Sequence, residues 1–332
     1  MKRKIFVAAM AAAALIACER NEVDVPAPAE GETVMLEVKV NSGMTKVSGE
    51  GGDEEKAVSD YQVLVYDMSS RSLESYETPA ASADEVEIRC RLGLKEIVVL
   101  ANAPDVSDVI SYDDFLKKRS SLEDNAVGKL VMEGHTSLDL GASGGSVTVD
   151  LRRLASKVIL DGITVDFEQD VYDEMDFILK RVYLTNVAGD MTYMAETADP
   201  VQWYNKIVQK SDAKVDGMIL DSFDGINMKG RAGYSSPHHF YCYPNPYQED
   251  SFSATQWSPR PTRLVVEAEL GETTYYYPVS LPVLERNNRY HVTLHIVRPG
   301  TMNPEQDMDK QTGSFTINIL GWQGETNVSE TI

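Results

Sequence analysis

Residues Thr33–Val40 read TVMLEVKV, and their strict alternation sets the kind of fold open to this chain. Val34, Leu36, Val38 and Val40 fall on one side of a pleated strand, while Met35, Glu37 and Lys39 fall on the other. Directly behind comes Asn41–Lys56, NSGMTKVSGEGGDEEK, rich in Gly and acids and without an apolar period. A strand buried by one face, yet joined to its domain through an exposed tether, is one that can be cut free and exchanged. With all four apolar side chains buried it would hold on by roughly 6–12 kcal/mol.

Short runs of the same character recur along the chain. Tyr61–Asp67, Val86–Leu92, Glu96–Ala101 and Lys129–Glu133 are strand candidates in the first half. Phe177–Val187, Thr262–Leu270, Thr273–Leu281, Asn288–Val297 and Phe315–Leu320 are candidates in the second. Turn residues separate them, and β-branched or alternating side chains fill them. The longest run, Ser146–Val165, holds the boundary between halves near Ala155, where a shared strand would limit relative motion. Helical inserts are predicted at Ser107–Leu116, capped by Ser107, and at Pro200–Gln209. The predicted class is all-β, two Greek-key β-sandwich domains in tandem with short helical inserts.

The first residues are a leader. Met1–Lys4 is basic, Ile5–Ala17 is apolar but too short to span a bilayer, and Leu15-Ile16-Ala17-Cys18 looks like a bacterial lipobox. Cleavage between Ala17 and Cys18 would leave Cys18 acylated and the chain tied to an outer membrane. Residues 1–17 are thus the signal peptide and 18–32 an acylated linker, stiffened by Pro26-Ala-Pro28. The formal charge of −21 argues against nucleic acid as a partner, because phosphate contacts need clustered Lys and Arg. Of three cysteines, Cys90 and Cys242 remain, and Cys90 alternates inward with Val86, Ile88 and Leu92 as a small hydrophobe.

Candidate chemistry does not survive its spacing. Gly141-Ala-Ser143-Gly-Gly145 has the pattern of a nucleophile elbow, but a strand rather than a helix follows it, which makes it a hairpin loop. His238-His239 with Cys242 lack a second ligand pair nearby. His291 and His295 sit on an alternating strand, about 13 Å apart. Glu305, Asp307 and Asp309 lack the glycine-centred spacing of a calcium loop and read as a solvated turn. No catalytic residue, metal or cofactor is predicted, and the chain is not expected to be an enzyme.

The order of several motifs resembles the Bacteroidetes fimbrillin superfamily, the FimA-like subunits of surface fimbriae. Those motifs are the lipobox Leu15–Cys18, the early strand followed by Thr45-Lys46, YQVLVYD (61–67), IVVLANAP (97–104), VDLRRLASKVIL (149–160), LERNNRYHVTLHI (284–296) and SFTINILGW (314–322). The resemblance covers nearly the whole chain. It implies two transthyretin-like sandwiches, 33–155 and 156–332, export as a lipoprotein to the cell surface, proteolytic loss of the first strand, and polymerisation by strand exchange. Implied partners are further copies or related fimbrial subunits, a processing protease, and the outer membrane through the lipid on Cys18. Within the cleavable loop 41–60, Lys46 and Lys56 are the processing candidates, since 41–56 holds no Arg. The displaced strand carries Val34, Leu36, Val38 and Val40. The donor is sought in 314–332, where Phe315, Ile317 and Ile319 alternate, although the same run can simply close its own domain. Two alternatives accompany this reading. One is an uncleaved anchor or tip subunit. The other is a surface glycan binder using Trp203, Tyr204, Trp257 and Tyr275–Tyr277 as a sugar platform.

Overall fold

The computed structural model describes residues 33–41, 55, 57–195, 197–206, 216–230, 232–249, 257–308, 312–322 and 326–331. The first half contains β1 (Thr33–Asn41), β2 (Tyr61–Asp67), β3 (Ser72–Glu77), β4 (Glu85–Arg91), β5 (Gly93–Ala101), β6 (Arg119–Ser121), β7 (Met132–Leu140), β8 (Gly145–Asp150) and β9 (Arg152–Arg153). The second opens with β10 (Ser156–Val165), β11 (Phe177–Thr185), β12 (Val187–Ala188), β13 (Asp190–Thr192), β14 (Trp203–Tyr204), β15 (Leu220–Ser222), β16 (Ala232–Tyr234) and β17 (His238–Cys242). It closes with β18 (Arg263–Leu270), β19 (Thr273–Ser280), β20 (Asn288–Ile296), β21 (Gly313–Gly321) and β22 (Thr326–Thr331). Among the described residues the α-helices are single turns: α1 (Tyr112–Phe115), α2 (Asp170–Asp173) and α3 (Asp216–Ile219). The chain is all-β, as its alternating runs predict.

Two sheets make the first half, a small one ordered β4-β1-β8 and a larger one ordered β3-β2-β5-β7-β9. Every residue of β2 is buried. Its Val63 and Val65, with Ile97 and Val99 of β5, pack on Leu36 and Val38 of the small sheet. The intervening Leu64, Tyr66, Val98 and Leu100 face the other way, into a cluster shared with Phe115, Leu122, Leu154 and Met191. A sheet covered on both faces needs apolar residues at nearly every position, which is why these two strands read as continuous hydrophobic runs. The second cluster continues without a break between the sheets β16-β10-β20-β21-β22 and β15-β11-β18-β19. β17 extends along β10 beside β16.

The junction of the halves is tied by more than the chain. β6 pairs with β13 across it. The Arg286 guanidinium donates to the buried Glu133 carboxylate at 3.2 Å. The predicted long strand 146–165 is three strands: β8 beside β1, β9 on β7, and β10 opening the second half. Two helix expectations are corrected. Residues 107–111 cannot wind, because Leu73 N–H donates to Ile110 C=O and Ser72 bridges Ser111, so helix begins only at Tyr112. Trp203–Tyr204 is a strand on Val187–Ala188, with the N–H groups of Val201 and Gln202 both held by Asp190 Oδ1; 207–210 lie outside the described residues. The Lys129–Glu133 strand starts late, at Met132, because Ala126 and Lys129 close a tight turn first. Leu92 does not point inward but is exposed just past β4.

Lys95 of β5 has no exposed surface, and its Nζ lies 2.5 Å from Asp67 and 2.7 Å from Glu74. Burial opposes the Asp67 charge, but donation from Lys95, Ser69 and Ser70 outweighs it and holds the carboxyl below its ordinary range. A depressed carboxyl stabilises the fold above its unfolded pKa, about 4, and loses that contribution as pH falls toward its folded value. Lys95→Ala would leave the buried Asp67 carboxylate without its cation and Glu74 with Arg91 alone, and is expected to cost about 3–5 kcal/mol in urea unfolding at neutral pH. In that variant the stability that Asp67 gains at neutral pH from its depressed pKa should be lost, so its contribution should no longer fall on mild acidification.

Candidate strand-exchange site

β1 lies in the middle of its sheet. It runs antiparallel to β4, with Leu36 opposite Ile88 and Val38 opposite Val86. It runs parallel to β8, with Leu36 opposite Gly145, Val38 opposite Val147 and Val40 opposite Val149. Alternation places Leu36 and Val38 in the core with no exposed surface, while Val34 and Val40 at the two ends are half-buried. Only two of the four apolar side chains are therefore fully buried, and those two contribute about 3–6 kcal/mol.

The opposite face of β1 is turned to solvent. Met35 is 40% exposed, and Lys39 lies beside Glu37 at 2.6 Å. Lys39 and a hydrogen bond shared with Glu85 hold the Glu37 carboxyl below its ordinary range. That same hydrogen bond, with some burial, raises Glu85. The strand is thus enclosed at both edges and one face, and open on the other face.

Its ends are fastened individually. Asn41 donates to Asp150 at 2.6 Å and accepts from Leu151 N–H at 2.8 Å. At the other end Gly144, φ +78°, lies in the tight turn by which the chain passes from β7 in the larger sheet to β8 in the small one, and a Cβ there would stand 2.6 Å from the Met35 carbonyl oxygen. The Gly141–Gly145 segment is a tight turn closed by a Gly141–Gly144 bridge, but it is not the expected hairpin loop, since β7 and β8 join different sheets; Gly144 is glycine because β1 passes directly against it. No alternation pattern marks that contact, although a Gly-Gly pair before a strand is the residue choice it requires.

The tether is represented by Glu55, which is buried. Its carboxylate accepts from Lys157 Nζ at 2.6 Å and from the Tyr241 hydroxyl, and its carbonyl accepts from Arg153 at 2.9 Å. Sequence reasoning missed this anchor. The available signal was Lys157, a lone cation in the apolar run that becomes β10. Ala17, Cys18, Lys46 and Lys56 lie outside the described residues.

Phe315, Ile317 and Ile319 lie on β21, hydrogen-bonded between β20 and β22, with Ile317 buried and the other two packed on the second core. This is an interior strand of its own sheet. β22 forms the edge, paired to β21. The sugar platform is not assembled: Trp203, Tyr204 and Tyr277 are buried, and Trp257 is half-buried, its indole N–H donating to Asn186 at 2.8 Å. The acidic turn is corrected too. Glu305 is buried against Arg260 and Arg263 at 3.5 and 3.7 Å, and Asp307 accepts from Arg263 at 3.0 Å; Asp309 lies outside the described residues. His238 is held between Asp221 and the Tyr234 hydroxyl, each at 2.7 Å, and His291 faces Asp161 at 3.0 Å. Cys90 and Cys242 are free, buried thiols whose pKa burial pushes up to about 12. Among the described residues no group of three His, Cys, Asp or Glu is placed to hold a metal.

Comparison with known proteins bears on this geometry. The family described as major fimbrial subunit protein (FimA) matches residues 33–149. The chain is similar to the major fimbrium subunit FimA type-2 of Porphyromonas gingivalis, at 21% identity over 97% of this chain and 98% of that one. The fimbrilin structure from Porphyromonas gingivalis W83 superposes with a TM-score of 0.63 at 16% identity, covering 89% of this chain and 98% of the other. A candidate cell adhesion protein from Bacteroides eggerthii gives a TM-score of 0.65 at 19% identity, covering 88% and 97%. The chain resembles fimbrial subunits in sequence and shares their fold over nearly its whole length.

The two faces of β1 should respond differently to substitution. Leu36→Ala is expected to destabilise by about 2–5 kcal/mol, the range for emptying a core leucine site. Met35→Ala on the open face should stay within about 0.5 kcal/mol. Thermal unfolding, with amide exchange along β1 as a local readout, checks both.

Proposed function

We propose, from the likeness to major fimbrium subunits along nearly the whole chain, that this protein is a structural subunit of a surface fimbria serving adhesion. In this reading it is exported as a lipoprotein on Cys18, reaches the outer membrane, and joins its neighbours when β1 is cut away and another subunit's strand takes its place. The observation that carries the reading is the position of β1. It is flanked by a ladder partner on each side, buries Leu36 and Val38, and keeps its outer face open. In this reading the strand leaves perpendicular to the sheet, and its departure exposes two edges of opposite strand direction, β4 and β8, that accept one replacement strand.

The donor in this reading comes from 314–332. β21 is costly to release, since it would surrender its ladder with β20 and the burial of Ile317. β22, an edge strand, is the part of this segment that leaves at least cost. The role is structural and not catalytic. The sugar-platform alternative is weakened because Trp203, Tyr204 and Tyr277 are buried, leaving Trp257, Tyr275 and Tyr276 half-buried. An uncut anchor or tip stays the second reading, favoured by the absence of Arg from 41–56.

Protease treatment of the purified subunit is expected to remove β1 and produce ladders of SDS-resistant oligomers on gels. Monomer that persists after clean removal of β1 would count against the exchange mechanism. N-terminal sequencing of the protein taken from cells then separates a processed subunit, starting within the tether, from an anchor blocked at Cys18.

A further inference from the structure

Among the described residues of the tether, Glu55 is buried against the body of the protein. Glu55 enters a recess built by three residues of the junction and second half: Arg153 on β9, Lys157 on β10 and Tyr241 on β17. Lys157 Nζ and the Tyr241 hydroxyl both donate to Glu55 Oε1, the former at 2.6 Å. Arg153 donates through Nη2 and Nε to the Glu55 carbonyl at 2.9 and 3.3 Å. The recess is rigid. Arg153 lies 4.7 Å over the Trp322 ring, Tyr241 stacks on Trp322, and Lys157 is 5.7 Å over the Tyr241 ring. Lys157 and Arg153 are themselves buried, so without Glu55 two cations would face each other in a dry site.

The residues after Lys56 are also fixed. Ala57 C=O accepts from Asn102 Nδ2 at 2.9 Å, Ser59 N–H donates to Asn102 Oδ1 at 2.9 Å, and Asn102 N–H donates to Asp60 C=O at 3.0 Å. Glu55 and Ala57 are therefore both held, one on each side of position 56. A protease must draw several residues on each side of a bond into its cleft, so cleavage here requires Glu55 to leave its recess first.

We propose that Arg153, Lys157 and Tyr241 form a latch for Glu55, Lys157 and Tyr241 holding its carboxylate and Arg153 its backbone carbonyl, and that the latch shields the bond before Ala57 so that the tether is cut on the amino-terminal side of Glu55. This rests on the reading that the tether is processed, and it adds where processing falls and what controls it. A cut before Glu55 leaves the ligand in its recess and frees β1 alone. A cut after Lys56 would take the ligand away with β1 and open the junction.

Limited digestion of the intact subunit with a lysine-specific endoprotease, followed by mass spectrometry, reads each bond separately. Products beginning at Val47 and Ala57 report cleavage after Lys46 and Lys56. The wild type should be cut after Lys46 well before Lys56. Glu55→Ala should speed cleavage after Lys56 by roughly ten- to hundredfold, with the Lys46 rate unchanged. Tyr241→Phe, which keeps both cations, should give a smaller rise of roughly three- to tenfold. Initial cleavage after Lys39, within β1, monitors unfolding and should not rise in either variant. Equal rates after Lys56 in wild type and Glu55→Ala, or wild-type cleavage after Lys56 as fast as after Lys46, would overturn the latch. Failure of cut subunits to polymerise would bear only on the exchange reading.

Discussion

The sheet β3-β2-β5-β7-β9 must be covered on both faces, and the rest of the molecule follows from how that is done. Val63, Val65, Ile97 and Val99 on one face require a cover, and the small sheet centred on β1 supplies it. Leu64, Tyr66, Val98 and Leu100 on the other face are covered by the α1 region and the start of the second half. These two covers are not equivalent. The second is continuous with the core of β10–β21, whereas the first depends on a three-stranded sheet whose middle strand is attached at one end through the tether. Removing β1 would strip one face of the central sheet and leave the other packed.

Buried charge is arranged around the same framework. Lys95 between Asp67 and Glu74 fixes the β2–β5 pairing beside β3. Glu133 with Arg286 fixes the junction, and Glu305 with Arg260 and Arg263 closes the loops at one end of the second half. Such groups add little net stability compared with well-packed apolar residues, but separating one member strands the other in a dry site. They therefore resist partial opening at the positions where they sit. β1 contains none of them. Its charged residues, Glu37 and Lys39, lie on the solvent side, so its release strands no buried ion.

Most of the strands were legible because a half-buried strand must alternate and a doubly covered one must be apolar throughout. Thr33–Asn41, Tyr61–Asp67 and Asn288–Ile296 follow directly from that rule. The misread segments are those in which a distant partner outweighs local preference. Ser107–Ser111 has helical composition, but its backbone is claimed by Arg71–Leu73. Trp203 and Tyr204 looked free for ligand and are instead buried against β12 and the second core. Glu305 looked solvated because nothing in its neighbourhood announces that Arg260 and Arg263 arrive from forty residues away. Glu55 is the same kind of miss, an acid in a run of acids, distinguished only by Lys157 and Tyr241 brought to it by β10 and β17.

The geometry of β1 also constrains what can replace it. Cleavage removes only a covalent tie, and the ladders to β4 and β8 with the burial of Leu36 and Val38 persist after the cut. An emptied slot would expose Ile88, Cys90, Ile97 and Val99 to water together with two unpaired strand edges. In the proposed exchange a replacement would therefore arrive as the old strand departs, satisfying both edges and both pockets in turn. Its direction is set as well, antiparallel to β4 and parallel to β8, with apolar residues at alternate positions facing Ile97 and Val99 and polar ones outward. A one-residue slip would turn every side chain to the wrong face, so the slot selects register as strictly as it selects occupancy.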